Sequence, residues 1–317
     1  MSKKKQKAAN YASDMDFPQR VLRYLKTEQT DEAGKRGLPV AHKISDAMAA
    51  KQQSFREPAD LGYLIASGKT VLFWSDQHWG HDNIIKYTAP ARSEFTNAGE
   101  MDRAMLERGR DAAMAAQKKD GETPWMVFGG DIAMRDPGRV NAFLRAIPAK
   151  KWLTVGNHDF SRDDASYYRW AVDTACLGFE FSLTREQAKN FFGNGARKEE
   201  WAAEQVVWDE APDRIRFGVC HYPMSLDLLP TDMINLHGHT HQKQSPPLRV
   251  NMSVEHLGFK PRTLDELVSP RDMKLLIARA LDPKMVTDAE KDFMERLAAQ
   301  RLAKGELTYS RAIRANM

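Results

Sequence analysis

The stretch Val71–His81, VLFWSDQHWGH, limits the available folds more than any other part of the chain. Val, Leu, Phe and Trp in succession leave no side for water, so the segment reads as a strand covered on both faces. It stops abruptly at Asp76, Gln77 and His78. Open α/β sheets place their ligands beyond such strand ends. An Asp and a His two residues apart are common loop residues, and alone this pair reads as a strand-end cap. Repetition changes that reading.

The same layout recurs downstream. WMVFGGDIAM carries Asp131 just after a Gly pair at the end of an apolar run. KWLTVGNHDF places Asn157, His158 and Asp159 after a second run and one Gly. RFGVCHYPM ends a third run at His221, and INLHGHTHQ sets His239 and His241 around Thr240 after a fourth. Seven of the nine histidines fall in these segments: His78, His81, His158, His221, His237, His239 and His241. Taken singly, GGD is a turn, GNHD a turn and cap, and His221 a satisfied buried histidine. Together they describe a metal site. Imidazole, carboxylate and one carboxamide make a ligand set of intermediate hardness, suited to Mn, Fe, Zn or Ni rather than to Ca or Mg alone. Six or seven such ligands exceed what one tetrahedral ion takes, and two ions sharing a carboxylate would use them all.

Around these ends the pattern alternates strand and helix from Thr70 onward. Strands are expected over 71–75, 125–128, 151–155, 205–209, 214–220, 233–236 and 249–254. Helices are expected over 82–87, 98–117, 139–146 and 165–171. Alternation in the first half implies a parallel sheet with right-handed crossovers, and the closely spaced strands of the second half imply a second, mixed sheet. The expected fold is α/β, a four-layer αββα sandwich of two mixed β-sheets. Residues 1–68 read as an extension, partly helical or disordered, with short helices at 17–25 behind the cap Asp16 and at 42–53. Residues 69–262 form the domain proper. Residues 263–317 read as a helical C-terminal addition, with helices at 263–267, at 270–280 behind Ser269-Pro270, and at 287–302 starting from Thr287 and Glu290 and ending at Lys304-Gly305.

The absence of a long apolar run and of a signal-type N-terminus points to a cytoplasmic protein with no membrane contact. Cys176 and Cys220 are too few for a disulfide framework and read as ordinary buried thiols. The net charge of +4 comes largely from the ends, including Lys3, Lys4, Lys5 and Lys7. Such clusters are either solvated tails or contacts for a nucleic acid, and charge alone does not choose.

The ordered set Asp76-x-His78, Gly130-Asp131, Gly156-Asn157-His158-Asp159, His221 and Gly238-His239-x-His241 resembles the calcineurin-like metallophosphoesterase superfamily. The longer spellings DQHWGHDNII, HYPM, NLHGHTH and VNMSVEHLGFKP resemble its compact bacterial and phage branch. The likeness spans residues 69–262. It implies a first ion on Asp76, His78 and His241, a second on Asn157, His221 and His239, and Asp131 bridging both. Manganese is the first choice of metal, with iron, zinc, nickel or magnesium as alternatives. His158 would face substrate rather than metal, and Asp159 would orient His158 or its loop. The implied activity is hydrolysis of a phosphodiester, or a monoester, by in-line attack of a metal-bridging hydroxide. His81 and Arg92 are weaker candidates for contacting the substrate phosphate, against a helix cap and an exposed salt bridge respectively. Two other functions fit the same motifs. One is a metal-dependent nuclease, disfavoured by the lack of a basic and aromatic stripe. The other is an inactive scaffold, disfavoured because no ligand is missing. No protein partner is indicated.

Overall fold

Side chains alternate along the first strand, and that alternation divides the interior in two. Leu72 and Trp74 enter one apolar cluster, and Val71 and Phe73 enter another, as a period of two requires. The computed structural model describes residues 16–27, 60–133, 137–159 and 171–303. Within them the strands are β1 (Val71–Trp74), β2 (Trp125–Phe128), β3 (Lys150–Thr154), β4 (Thr174–Cys176), β5 (Gly178–Thr184), β6 (Arg214–Cys220), β7 (Met233–His237), β8 (Arg249–Asn251) and β9 (Arg262–Thr263). One sheet has the order β4-β3-β2-β1-β9, parallel except for β9. The other has the order β5-β6-β7-β8, with only β5 antiparallel. Both sheets are therefore mixed, as expected.

The core between the sheets joins Val71, Phe73, Val127 and Trp152 of the first to Phe181, Phe217, Ile234 and Leu236 of the second. On the other side of the first sheet, Trp74 and Phe128 pack against the helices Ala98–Asp120 and Pro137–Ala146. The long helix begins at Asn97, whose side chain accepts the Glu100 N–H, and ends at Gly121 in the left-handed region. Gly109 lies where an added Cβ would stand 2.8 Å from the Trp74 ring, so the helix can approach β1 closely there.

The outer layer of the second sheet comes from the N-terminal segment. The helix Phe17–Thr27 starts at Asp16, whose Oδ1 accepts the Gln19 N–H at 2.8 Å. Phe17, Val21 and Leu25 pack on Met233, Cys220 and Tyr222. Gly218 lies beneath the Phe17 ring, and a Cβ there would overlap it. At the other end of the chain, the helix Pro270–Leu281 starts with the Ser269–Asp272 capping box and Pro270. It adds Met273, Leu276 and Ile277 to the core between the sheets. Its buried Arg279 donates to the carbonyls of Leu226, Leu229 and Pro230 at 2.7–2.9 Å.

Several local expectations change. Residues 205–209 form no strand, and Trp208–Glu210 is a 3-10 turn. The edges of β6 are already taken by β5 and β7, which leaves the Val206–Trp208 run to cover the core instead. The last helix starts at Pro283 rather than Thr287, whose hydroxyl instead donates to the Pro283 carbonyl. Strands β4, β5 and β9 and the helices Leu61–Ala66, Arg185–Gly193 and Lys198–Ala203 are additional. The helix expected over 42–53, most of that expected over 165–171, and the stop at Lys304-Gly305 lie outside the described residues. Among those described, no helix is long and apolar enough to cross a membrane. Both cysteines are free, and burial raises Cys176 to about 11 and Cys220 to about 12.

If the N-terminal helix is a true layer of the fold, Phe17→Ala should destabilise the protein by about 3–5 kcal/mol, the usual effect of truncating a buried Phe. Urea unfolding measures this. A midpoint unchanged from wild type would show that the helix is an appendage.

Candidate metal centre

The chain leaving β1 runs beside the chain leaving β2. The Asp76 N–H donates to the Gly130 carbonyl at 3.0 Å, His78 to Asp131 at 3.1 Å, and Trp79 to Ile132 at 2.8 Å. The ladder thus continues past the strands and sets Asp76 and His78 alongside Asp131. Left-handed backbone then turns the side chains inward. Eight non-glycine residues among those described have positive φ, and five of them are Asp76, His78, Asp131, His239 and His241. Such conformations cost energy and persist where the surroundings enforce them, commonly at functional sites.

Two clusters result. Ligand atoms of Asp76, His78 and His241 lie within 4.8 Å of one another, and so do those of Asp131, His221 and His239. Each cluster draws on both sheets. Asp76, His78 and Asp131 follow β1 and β2, whereas His221, His239 and His241 follow β6 and β7. Asn157, after β3, joins the second cluster: its Oδ1 is 3.2 Å from His221 Nε2 and 3.1 Å from His239 Nδ1. Asp131 faces both clusters, with Oδ2 3.2 Å from His221 Nε2 and 3.8 Å from His78 Nε2. The seven residues assigned to metal from the sequence are therefore brought together in the expected grouping.

The ring environments suit cation binding. His78 is 1% exposed, and neither ring nitrogen has a hydrogen-bond partner. A buried neutral imidazole left this way needs a donor or a cation for its lone pair, and burial holds its pKa well below the usual range, so the ring stays neutral. His239 is lowered to about 3, by burial first and then by the charge on His221. His221 Nδ1 lies 2.9 Å from the Gly129 carbonyl, which takes its proton and leaves Nε2 for the site. Burial opposes a second proton on His221, but the Asp131 and Asp76 carboxylates outweigh it and raise the pKa to about 9. Burial likewise opposes charge on Asp131, yet His221, His158 and His78 together keep its carboxyl well below the carboxylate range. The donor set fits two divalent cations.

His158 stands apart from the ligands. Its side chain is 37% exposed, with Nε2 4.0 Å from Asp131 Oδ2, and its backbone N–H donates to Asp131 Oδ1 at 2.7 Å. Asp159 is buried behind it and holds the loops. It accepts the N–H groups of Asp131, Gly156 and Ile132 at 2.7, 2.8 and 2.9 Å. Burial and the neighbouring Asp131 push its carboxyl up to about 6 against those backbone donors. These bonds tie the loops after β2 and β3 to one another.

Arg92 does not line the open site, and it is not an exposed salt bridge either. It is wholly buried, and its guanidinium is committed to Glu255, to the carbonyls of Asp76 and Gln77, and to Met101 Sδ. His81 occupies the N-cap position of the helix Asp82–Tyr87, but its side chain makes no capping bond. Its ring lies 5.7 Å from that of His78, half-buried at the margin of the site, while Asn83 is exposed. His237 is a packed histidine bonded to Gly238 and Ser245. Tyr222 is buried against the His221 and His239 rings, and His256 turns to the Lys243 carbonyl.

Three supporting residues escaped sequence reasoning. Ser253 donates to Asp76 Oδ2 at 3.0 Å, Glu255 meets His241 Nδ1 at 2.9 Å, and Asn251 donates to Thr240 and to the His241 carbonyl. All three lie in VNMSVEHLGFKP, a stretch whose spelling stood out without a chemical role attached.

The chain matches no family model and none of the curated proteins. Among solved structures, a protein of unknown function from Aquifex aeolicus is similar over 62% of this chain and 96% of its own, at 18% identity and a TM-score of 0.42.

Gly130 has φ +99°, and an added Cβ would stand 2.7 Å from both His221 Nδ1 and the Gly156 nitrogen. Gly130→Ala should therefore displace His221 and weaken metal binding about 10–100-fold, the range seen when the partners of metal ligands are lost. Titration of metal-stripped protein with Mn²⁺ measures it, and wild-type affinity would show that His221 is not a ligand.

Proposed function

We propose that the protein is a dinuclear metal-dependent phosphoric ester hydrolase of calcineurin-like type, acting on a phosphodiester or a monoester. The observation that carries this reading is the pairing of Asp76, His78 and His241 with Asp131, His221 and His239 around one shared carboxylate. Asn157 completes the second group. Bound divalent ions would supply Lewis acidity to the ester oxygens and an acidified water as nucleophile. The mixed imidazole and carboxylate set suits manganese, iron, zinc or nickel, and the family resemblance puts manganese first, with magnesium a further alternative.

The chain's own residues supply the rest. The buried carboxylates of Asp76 and Asp131 and the imidazoles of His78 and His221 would hold the cations at the floor of the site, where charge on a phosphoryl group would be less screened than in water. His158 is the one imidazole of the GNHD motif that is exposed, beside Asp131 but outside both ligand clusters. From there it can hydrogen-bond a phosphoryl oxygen or deliver a proton to the departing alkoxide. Asp159 keeps its loop in place through three backbone bonds. No serine or cysteine nucleophile is required, and both cysteines hold their protons too tightly to serve.

The test is turnover of bis-p-nitrophenyl phosphate and p-nitrophenyl phosphate by manganese-loaded protein. His158→Ala should lower kcat by about 10²–10⁴-fold, the range for losing a general acid, and should keep both ions. Loss of an ion in that variant would make His158 a ligand. Protein that binds two ions yet turns over neither ester would be read as an inactive scaffold. Cleavage of a single-stranded oligonucleotide in preference to small diesters would move the reading to a nuclease.

A further inference from the structure

Behind the first cluster lies a buried ion pair outside the five motif blocks that carry the candidate ligands. Arg92 Nε and Nη2 approach Glu255 Oε1 at 2.8 and 2.7 Å, and neither side chain meets solvent. A buried pair is weak evidence of a stabilising role, because desolvation offsets much of the attraction. Where its remaining bonds go is more informative. Arg92 donates to the carbonyls of Asp76 at 2.6 Å and Gln77 at 3.1 Å. The same Glu255 oxygen faces His241 Nδ1 at 2.9 Å. Apart from Met101 Sδ, these partners belong to the two loops that carry the first cluster.

We propose that the Arg92–Glu255 pair is a positioning device for the first ion alone. A neutral imidazole carries one proton, and a carboxylate at Nδ1 fixes it there. That leaves His241 Nε2 as the ligand atom, 4.0 Å from Asp76 Oδ1. Arg92 pins the left-handed turn at Asp76 through its carbonyl, so one guanidinium sets both ends of the cluster. The second cluster has its own support in Asp159 and in the Gly129 carbonyl behind His221. The two halves of the centre thus have different carboxylates behind them, and they are joined where Asp76 accepts the His239 N–H at 3.0 Å. The inference rests on the two-ion reading proposed above.

The test uses the full chain, stripped and reloaded with Mn²⁺, with ions counted by elemental analysis and paramagnetic resonance and folding followed by thermal unfolding. Wild type should bind two ions with a coupled signal. Glu255→Ala should weaken one ion about 10–100-fold and leave the uncoupled signal of a single Mn²⁺. Adding His239→Ala should remove that remaining ion, whereas adding His78→Ala should not. Glu255→Gln keeps an acceptor for His241 and should retain more of the first ion than the alanine variant. If Glu255→Ala does not fold, Arg92→Lys decides: it keeps the charge but cannot span the three acceptors, and the first ion should weaken by about tenfold or more. Two ions held with wild-type affinity, or equal loss of both, would overturn the proposal. Wild type that binds no coupled pair would overturn the two-ion reading itself. Selective ion loss in a protein that hydrolyses no ester would uphold the positioning role and reject the proposed activity.

Discussion

Burying several carboxylates and imidazoles in one place is unfavourable unless something neutralises and orders them. Asp76, Asp131, His78 and His221 are all buried at the rim of the sandwich, and most of the residues that carry the site are held in left-handed backbone. Left to themselves, these groups would need a proton on His221 to balance Asp131, and His78 has nothing to bond. Two divalent ions would satisfy both needs at once. The surrounding fold makes sense as the frame that keeps these groups close despite their mutual cost.

The frame works because the two sheets meet where their strands end. Each cluster takes residues from both sheets, so neither forms until the core between them has packed. Phe73, Phe181 and Phe217 supply that packing, with Phe73–Phe181 and Phe181–Phe217 ring pairs at 6.1 and 5.2 Å. Behind each half lies a buried carboxylate, Asp159 on one side and Glu255 on the other. The outer layer also bears on the centre: Tyr24 of the N-terminal helix packs on Tyr222, whose ring lies against His221 and His239.

Much of this was legible in the residues. A four-residue apolar run reads as a covered strand whose Asp-x-His end is by itself only a cap, and repetition at four other strand ends turned that weak motif into a candidate centre. Long elements with strong end signals were also readable, such as β6 and the helix behind Ser269-Pro270. Two- and three-residue strands such as β4 and β9 carry too little periodicity to find. By contrast, β5 has a clear period of two in Phe179, Phe181 and Leu183, and the helix after it has a Thr184–Gln187 capping box. Those two signals were present and unread.

Arg92 marks the boundary between what composition and spacing fix and what packing fixes. Ligand identity is local, because only certain side chains bind a cation and each block lies within a few residues of a strand end. The sequence was therefore sufficient for the two-sheet class and for the seven candidate ligands. It could not say that Arg92 faces inward, since a lone arginine in a loop is usually exposed. Its burial follows from a carboxylate 163 residues away and from two carbonyls presented by a strained turn. The same holds for Phe17, whose place over Gly218 depends on a strand far along the chain. Contacts across such distances are set by how the sheets and helices dock, because burial and charge neutralisation are properties of the assembled interior.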